Sequence, residues 1–147
     1  MTEPDRCWGE GDPLMQTYHD DEWGVPLHDD RGLFEFLLLD NFQAGLSWRT
    51  ILHKRENFRA AFDNFDAKKI AAYGEEKILA LLQDAGIIRN RSKVRSAVTN
   101  AQAFLKIQQE FGSFDNYLWR FTGGKTLFHP PVEKWDETHV TTPQSDA

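Results

Sequence analysis

Two segments bring chemistry-bearing side chains close together: YHDDEWGVP from Tyr18 to Pro26, and DNFQAGLSW from Asp40 to Trp48. They carry a phenol (Tyr18), an imidazole (His19), several carboxylates and two indoles (Trp23 and Trp48), interrupted by a glycine-bearing turn. Aromatic faces beside acids and a phenol suit a pocket that grips a flat, electron-poor ring. Each residue alone has a plainer reading. Trp23 and Trp48 also fit a hydrophobic core, Tyr18 fits the rim of a helix with its hydroxyl outward, and Asp40 fits a cap on the following turn. A buried, unpaired carboxylate at the end of an apolar helix is costly, however, so Asp40 needs a reason to be there.

A second constellation lies in DAGIIRNRSKVR, residues 84–95. Two helices joined by a short turn bearing Gly86, followed by Arg89, Arg91, Lys93 and Arg95, have the form of a helix-hairpin-helix. Such an element offers backbone amides and a helix N-terminus to a DNA phosphate. A plain helical hairpin with a solvated basic face fits the same residues.

The elements that must position these groups read as helices throughout. Asp12 followed by Pro13 is a cap and first-turn pair opening a short helix to about Asp21. Asp29 or Asp30 caps a second helix whose apolar set is Leu33, Phe34, Phe36, Leu37 and Leu38. It is apolar nearly all round, which places it centrally, and it ends near Gly45 in a left-handed cap. Ser47 starts a third helix to about Phe62, and Asp66 caps a short one. Glu75 to Asp84 forms the next, with Ile78, Leu79, Leu81 and Leu82 inward. Asn90 caps a long helix to about Phe111, and Gly112-Ser113 separates it from Phe114–Phe121. An irregular stretch around Pro130-Pro131 follows, and Thr142-Pro143 carries a helix-opening signature. No period-2 alternation is present, so the fold class is all-α, in one domain over 1–147.

Composition sets outer bounds. The chain has 147 residues, 40% hydrophobic and 27% charged, as in ordinary globular proteins. Its eleven phenylalanines read as core. One cysteine excludes an internal disulfide; no signal peptide or membrane-length apolar run is visible, so a reducing, cytoplasmic setting is expected. The net charge of −6 is unevenly spread. Residues 1–47 hold two basic and eleven acidic side chains, whereas residues 48–106 hold twelve basic and six acidic. A basic middle in an acidic chain leaves room for a local phosphate-binding face, or for solvated helix surfaces.

With KREN at Lys54–Asn57 and DAGII at Asp84–Ile88, the two opening motifs occur in the order found in DNA-3-methyladenine glycosylase I, a helix-hairpin-helix base-excision repair family that this chain closely resembles from Cys7 onward. The resemblance implies a monofunctional glycosylase that flips 3-methyladenine out of alkylated double-stranded DNA and releases it by hydrolysis, acting as a monomer. It places Asp40 and Tyr18 in the catalytic pocket, with Trp23, Trp48 and Gln43 holding the base. Gly86, Arg89, Arg91 and Lys93 would contact DNA in a helix-hairpin-helix spanning about 75–111. No lysine lies near the pocket motifs to act as a Schiff-base nucleophile.

Two departures accompany the resemblance. The family pattern has glutamate where this chain has Asp40, one methylene shorter, which sets its oxygens about 1.5 Å back. The family's zinc site pairs residues matching Cys7 and His19 with two ligands from a C-terminal tail. This chain is expected to stop short of that tail and to supply two of the four ligands a structural zinc needs. On that count Cys7 reads as a free thiol and His19 as a helix side chain. His28, His53, His129 and His139 have no ligand spacing. Rival expectations are a DNA-binding module without catalysis, and a helical interaction domain whose aromatics are all core.

Overall fold

Capping side chains decide where each helix of this chain begins. The computed structural model describes residues 6–128 and 141–147, and among them there are helices and turns but no strand. Helix α1 spans Pro13–Asp21, α2 Asp30–Gln43, α3 Trp48–His53 and α4 Arg55–Ala61. Helices α5 (Ala67–Ala71), α6 (Glu75–Leu81), α7 (Arg91–Phe111) and α8 (Phe114–Trp119) follow. Asp12, Asp29, Ser47, Asp66, Asn90 and Ser113 each accept a backbone amide of the first turn they open. Asp29 is thus the cap of α2. Its neighbour Asp30 instead accepts the amides of Phe114 and Asp115 at 2.9 and 2.8 Å, capping α8 from across the domain.

The core is an aromatic one. Phe34, Phe42, Phe58, Phe62 and Phe65 are essentially fully buried, with Leu38, Leu39, Ile51, Ile70 and Val94 between them. Helix α2 runs through the middle, as its apolar circumference implies. The long α7 packs its Val94, Ala97, Ala101 and Phe104 stripe against α2 and α5. Small alanines on that stripe let the helices approach closely. Each large-to-small change in such a core costs about 2–5 kcal/mol.

Four details differ from the sequence expectation. The third helix is broken at Lys54 into α3 and α4, because a backbone near φ −98°, ψ 0° ends one turn and starts the next. Helix α6 stops at Leu81, and Leu79 is exposed, pointing away from the inward row of Ile78 and Leu81. Thr142 opens a single hydrogen-bonded turn, its carbonyl accepting from Ser145 and Asp146. The fourth is Glu35, buried in the middle of the central helix at 1% exposure. It accepts Arg55 Nε at 2.6 Å, Arg59 Nη2 at 2.8 Å and Arg31 Nη1 at 3.1 Å. Burial alone would raise its carboxyl pKa, but the Arg55 and Arg59 bonds outweigh burial and the net shift is downward. Pro130-Pro131, His129 and His139 lie outside the described residues.

Gly45 has the left-handed conformation expected of it, with φ +77°. More unusual is the turn from Asp63 to Phe65, three consecutive non-glycine residues with φ between +50° and +56°. Such backbone persists only where surroundings over-determine it. Here Arg31 donates to both the carbonyl and the side-chain oxygen of Asn64, Tyr73 donates to Asp63, and Phe65 is buried.

Candidate active site

Helices α1 and α2 meet the segment after α8 around one open cleft of about 750 Å³. Tyr18 and Glu22 come from α1 and its C-terminal cap, and Phe36 and Asp40 from α2. Trp119, Phe121 and Lys125 enter from the α8 side. The lining is mostly apolar, so the few polar groups set its character.

Asp40 is the group the physics singles out. Its side chain reaches the cleft, and among the described residues no cation or donor pairs with it. Burial alone holds its carboxyl above the ordinary aspartate range. Tyr18 is raised too, by burial first and then by the carboxylates of Asp40 and Glu22, with Arg55 opposing. An acid left unbalanced beside an aromatic wall favours a cationic, planar guest.

Not all of the sequence-predicted pocket residues come together there. Tyr18 and Asp40 share the cleft. Trp48 stands behind it, its ring 5.2 Å from Tyr18 and 6.4 Å from Phe36, with its indole nitrogen buried and unpartnered among the described residues. Trp23 is 51% exposed and packs on Trp8 and His19 outside the lining. Gln43 donates to the Leu46 carbonyl at 2.8 Å, bracing the loop between α2 and α3 instead of facing the cleft. Lys125 does line the cleft, from the α8 side and away from the sequence motifs on which the absence of a nucleophilic lysine was argued.

Two cleft-lining residues and the cation behind them carry no weight in the sequence reading. Phe36 reads as core, Glu22 as one acid among several, and Arg55 only as part of KREN. In the structure Arg55 Nη1 donates to both carboxylate oxygens of Glu22 at 2.8 and 2.9 Å. Its guanidinium lies 5.0 Å over the Phe36 ring. No local signal marked it, because its partners lie 20 and 33 residues away in the chain.

The hairpin between α6 and α7 is tightly held. Asp84 accepts the Gly86 amide at 2.8 Å, and Asn57 donates to the Gly86 carbonyl at 3.2 Å. A Cβ at Gly86 would fall 3.0–3.1 Å from the Asp84 and Asn57 side chains, so any larger residue must push them aside by a few tenths of an ångström. Arg95 pairs with Glu75 at 2.9 Å and Arg91 reaches the same carboxylate at 3.5 Å. Lys93 turns inward, donating to the Phe42 and Ala44 carbonyls at 2.8 and 2.6 Å, where it satisfies the C-terminus of α2. Arg89 alone of these cations is exposed without a side-chain partner among the described residues.

Cys7 and His19 do meet, with Sγ 3.6 Å from Nε2, while His19 Nδ1 faces Asp20 at 3.0 Å. Among the described residues no group of three or more acid, histidine or cysteine side chains is arranged to hold a metal. Two donors do not make a tetrahedral zinc site. His53 and His28 instead serve as partners to Asp12 and Asp115, each at 2.7 Å. No described helix is long and apolar enough to cross a membrane.

This geometry coincides with a clear family relationship. A family model described as methyladenine glycosylase matches residues 8–147, and the chain belongs to that family. It is 50% identical over 118 residues to DNA-3-methyladenine glycosylase 1 of Escherichia coli K12, covering 80% of this chain and 63% of that protein. The chain therefore spans less than two thirds of this curated relative's length. Among solved structures, a 3-methyladenine DNA glycosylase I superposes with TM-score 0.88 at 46% identity, over 95% of this chain and 76% of that one. The Staphylococcus aureus enzyme, solved to explain 3-methyladenine recognition, matches with TM-score 0.77 at 42% identity, over 78% of this chain and 61% of that one.

Proposed function

We propose that this chain binds alkylated double-stranded DNA, takes a 3-methyladenine nucleotide out of the stack, and releases the base by hydrolysis. The observation that carries this reading is Asp40, an uncompensated carboxylate facing an apolar, aromatic-walled cleft beside Tyr18. The family relationship, and relatives named for this activity, support it.

Methylation at N3 gives the adenine a positive charge, so the base is already a good leaving group. As the bond from C1′ to the base nitrogen breaks, both electrons pass to the ring and neutralise it. Water adds to C1′ through its oxygen and loses its proton to solvent. The protein's task is to hold the flipped cation while that bond stretches. Asp40 accepts from the ring's exocyclic amine and balances its charge. Tyr18 and Phe36 confine its faces and edge, and Trp48 backs Tyr18. Trp23 and Gln43 act indirectly, through the outer aromatic cluster and the loop before α3.

DNA would lie along the α6–α7 helix-hairpin-helix, with the Gly86 turn and Arg89 toward phosphate and Arg91 and Lys93 supporting the turn. Lys125 remains outside the chemistry in this reading: the reaction forms no covalent enzyme–DNA adduct, and borohydride traps none. Cys7 and His19 offer two zinc donors, and no step depends on a metal. A monomer is expected by sedimentation.

The deciding experiment measures free methylated base released from alkylated duplex, with Asp40→Asn beside the parent chain. Release of 3-methyladenine by the parent and not by the variant establishes the enzyme. Salt-dependent duplex binding with no release moves the chain to a DNA-binding module, a reading favoured by the shortened side chain at Asp40.

A further inference from the structure

Helix α1 carries Tyr18 into the cleft, yet it contributes no buried residue to the domain. Its middle leans on the fold through tilted aromatic contacts, Tyr18 against Trp48 and Phe36. Its ends are held differently. At the start, Asp12 is 5% exposed and its Oδ2 lies 2.7 Å from both His53 Nε2 and Arg49 Nε of α3. Its other oxygen accepts the amides of Leu14 and Met15. At the far end, Glu22 is the C-terminal cap, and its amide donates to the Tyr18 carbonyl at 3.0 Å. Arg55 grips both Glu22 oxygens and anchors itself through Nε to the buried Glu35.

We propose that α1 is seated by ionic clamps at its two ends, and that Arg55, through Glu22, is a positioning residue that fixes Tyr18 against Asp40. This rests on the base-releasing reading for its functional consequence. Arg55 does not line the cleft, but it touches two residues that do, Glu22 and Phe36. Its planar guanidinium serves two carboxylates at once, Nη1 donating to Glu22 and Nε to Glu35, a span between fixed donors that a single ammonium does not copy. At 12% side-chain exposure, it is shielded from the solvent that weakens surface pairs. Loss of this contact would have two effects on one cavity. The last turn of α1 would be free to swing, and the Glu22 carboxylate would stand in the cleft as a second unbalanced anion beside Asp40.

The test uses the full chain and two variants, Glu22→Gln and Arg55→Lys. Both preserve volume, and Glu22→Gln leaves the Arg55–Glu35 anchor in place. Three quantities are read: hydrogen exchange of the α1 amides against those of α7, the Kd for free 3-methyladenine by tryptophan fluorescence, and the urea midpoint. The expected result is faster exchange confined to α1, with base affinity down about tenfold or more in both variants. Unchanged α1 exchange in both variants overturns the clamp. Equal acceleration in α1 and α7 with a fallen urea midpoint overturns it as well, reducing Arg55 to a general stability residue. A parent chain that binds no base refutes the base-releasing reading, while the exchange data still decide whether the clamp exists. Parent binding that both variants retain in full overturns the positioning role.

Discussion

The two halves of this domain are held by different physics. Around α2, α4, α5 and α7, phenylalanines and alanines interlock in a core from which water is excluded. Around α1, where the cleft opens, almost nothing is buried, and charged side chains reach across from α3 and α4 to hold the wall. A wall that must admit a guest cannot be closed by apolar packing. Ion pairs and caps fix its position while leaving its inner surface free.

Four substitutions would sharpen that contrast. The largest effect belongs to the packed half: Phe58→Ala should cost about 3–5 kcal/mol of unfolding free energy in urea, since the site has no room to collapse. Glu35→Gln should come next, at about 3 kcal/mol, because it leaves three arginines facing a neutral amide in a buried place. Glu35 has a lowered carboxyl pKa, so its contribution is complete above the unfolded value and fades as pH falls through the folded one. In acid, therefore, the gap between parent and variant should narrow.

In the cleft the signs change. Asp40→Asn should lower base release about a hundredfold or more, read by chromatography of free base, and yet leave Tm at neutral pH level or slightly raised, since the side chain is open to solvent in the cleft and its charge is screened. Partial burial in the cleft raises the Asp40 pKa, so its ionised form carries a small cost in stability above the folded pKa, and that cost disappears as pH falls below the unfolded one. Base release by the parent should accordingly fail on acidification at a pH above the ordinary aspartate value of about 3.9. A variant that loses both activity and stability together would merge the two halves again. The smallest effect is Trp48→Phe, under about 1 kcal/mol by thermal melting. The indole nitrogen makes no hydrogen bond to lose among the described residues, and ring contact with Tyr18 survives.

The contrast also explains what could be read in advance. Helix starts were legible because Asp12, Ser47, Asp66 and Asn90 cap by local chemistry alone. The central position of α2 followed from its apolar circumference. Tyr18 and Asp40 stood out as a phenol and an acid in unusual company. Glu35 did not, because one acid in the middle of an apolar pattern looks like a solvated face until three arginines from other turns converge on it. Arg55 was hidden for the same reason, its partners lying 20 and 33 residues away. Trp23 and Gln43 misled in the opposite direction: their types fit a pocket, but only tertiary geometry shows which side of the wall they occupy. The break at Lys54 had no local signal, since no glycine or proline stands there.

Lys93 has a consequence for how tightly this protein can be bound to a polyanion. Its ammonium is committed to two carbonyls, and Arg91 and Arg95 share a carboxylate. Each phosphate neutralised on duplex DNA releases condensed counterions, adding about 0.9 to the slope of log affinity against log salt. Cations already engaged within the protein release few. The tally of lysines and arginines therefore overstates the grip, and on the proposed reading the α6–α7 face would make a shallow electrostatic contact that lets go of undamaged DNA readily.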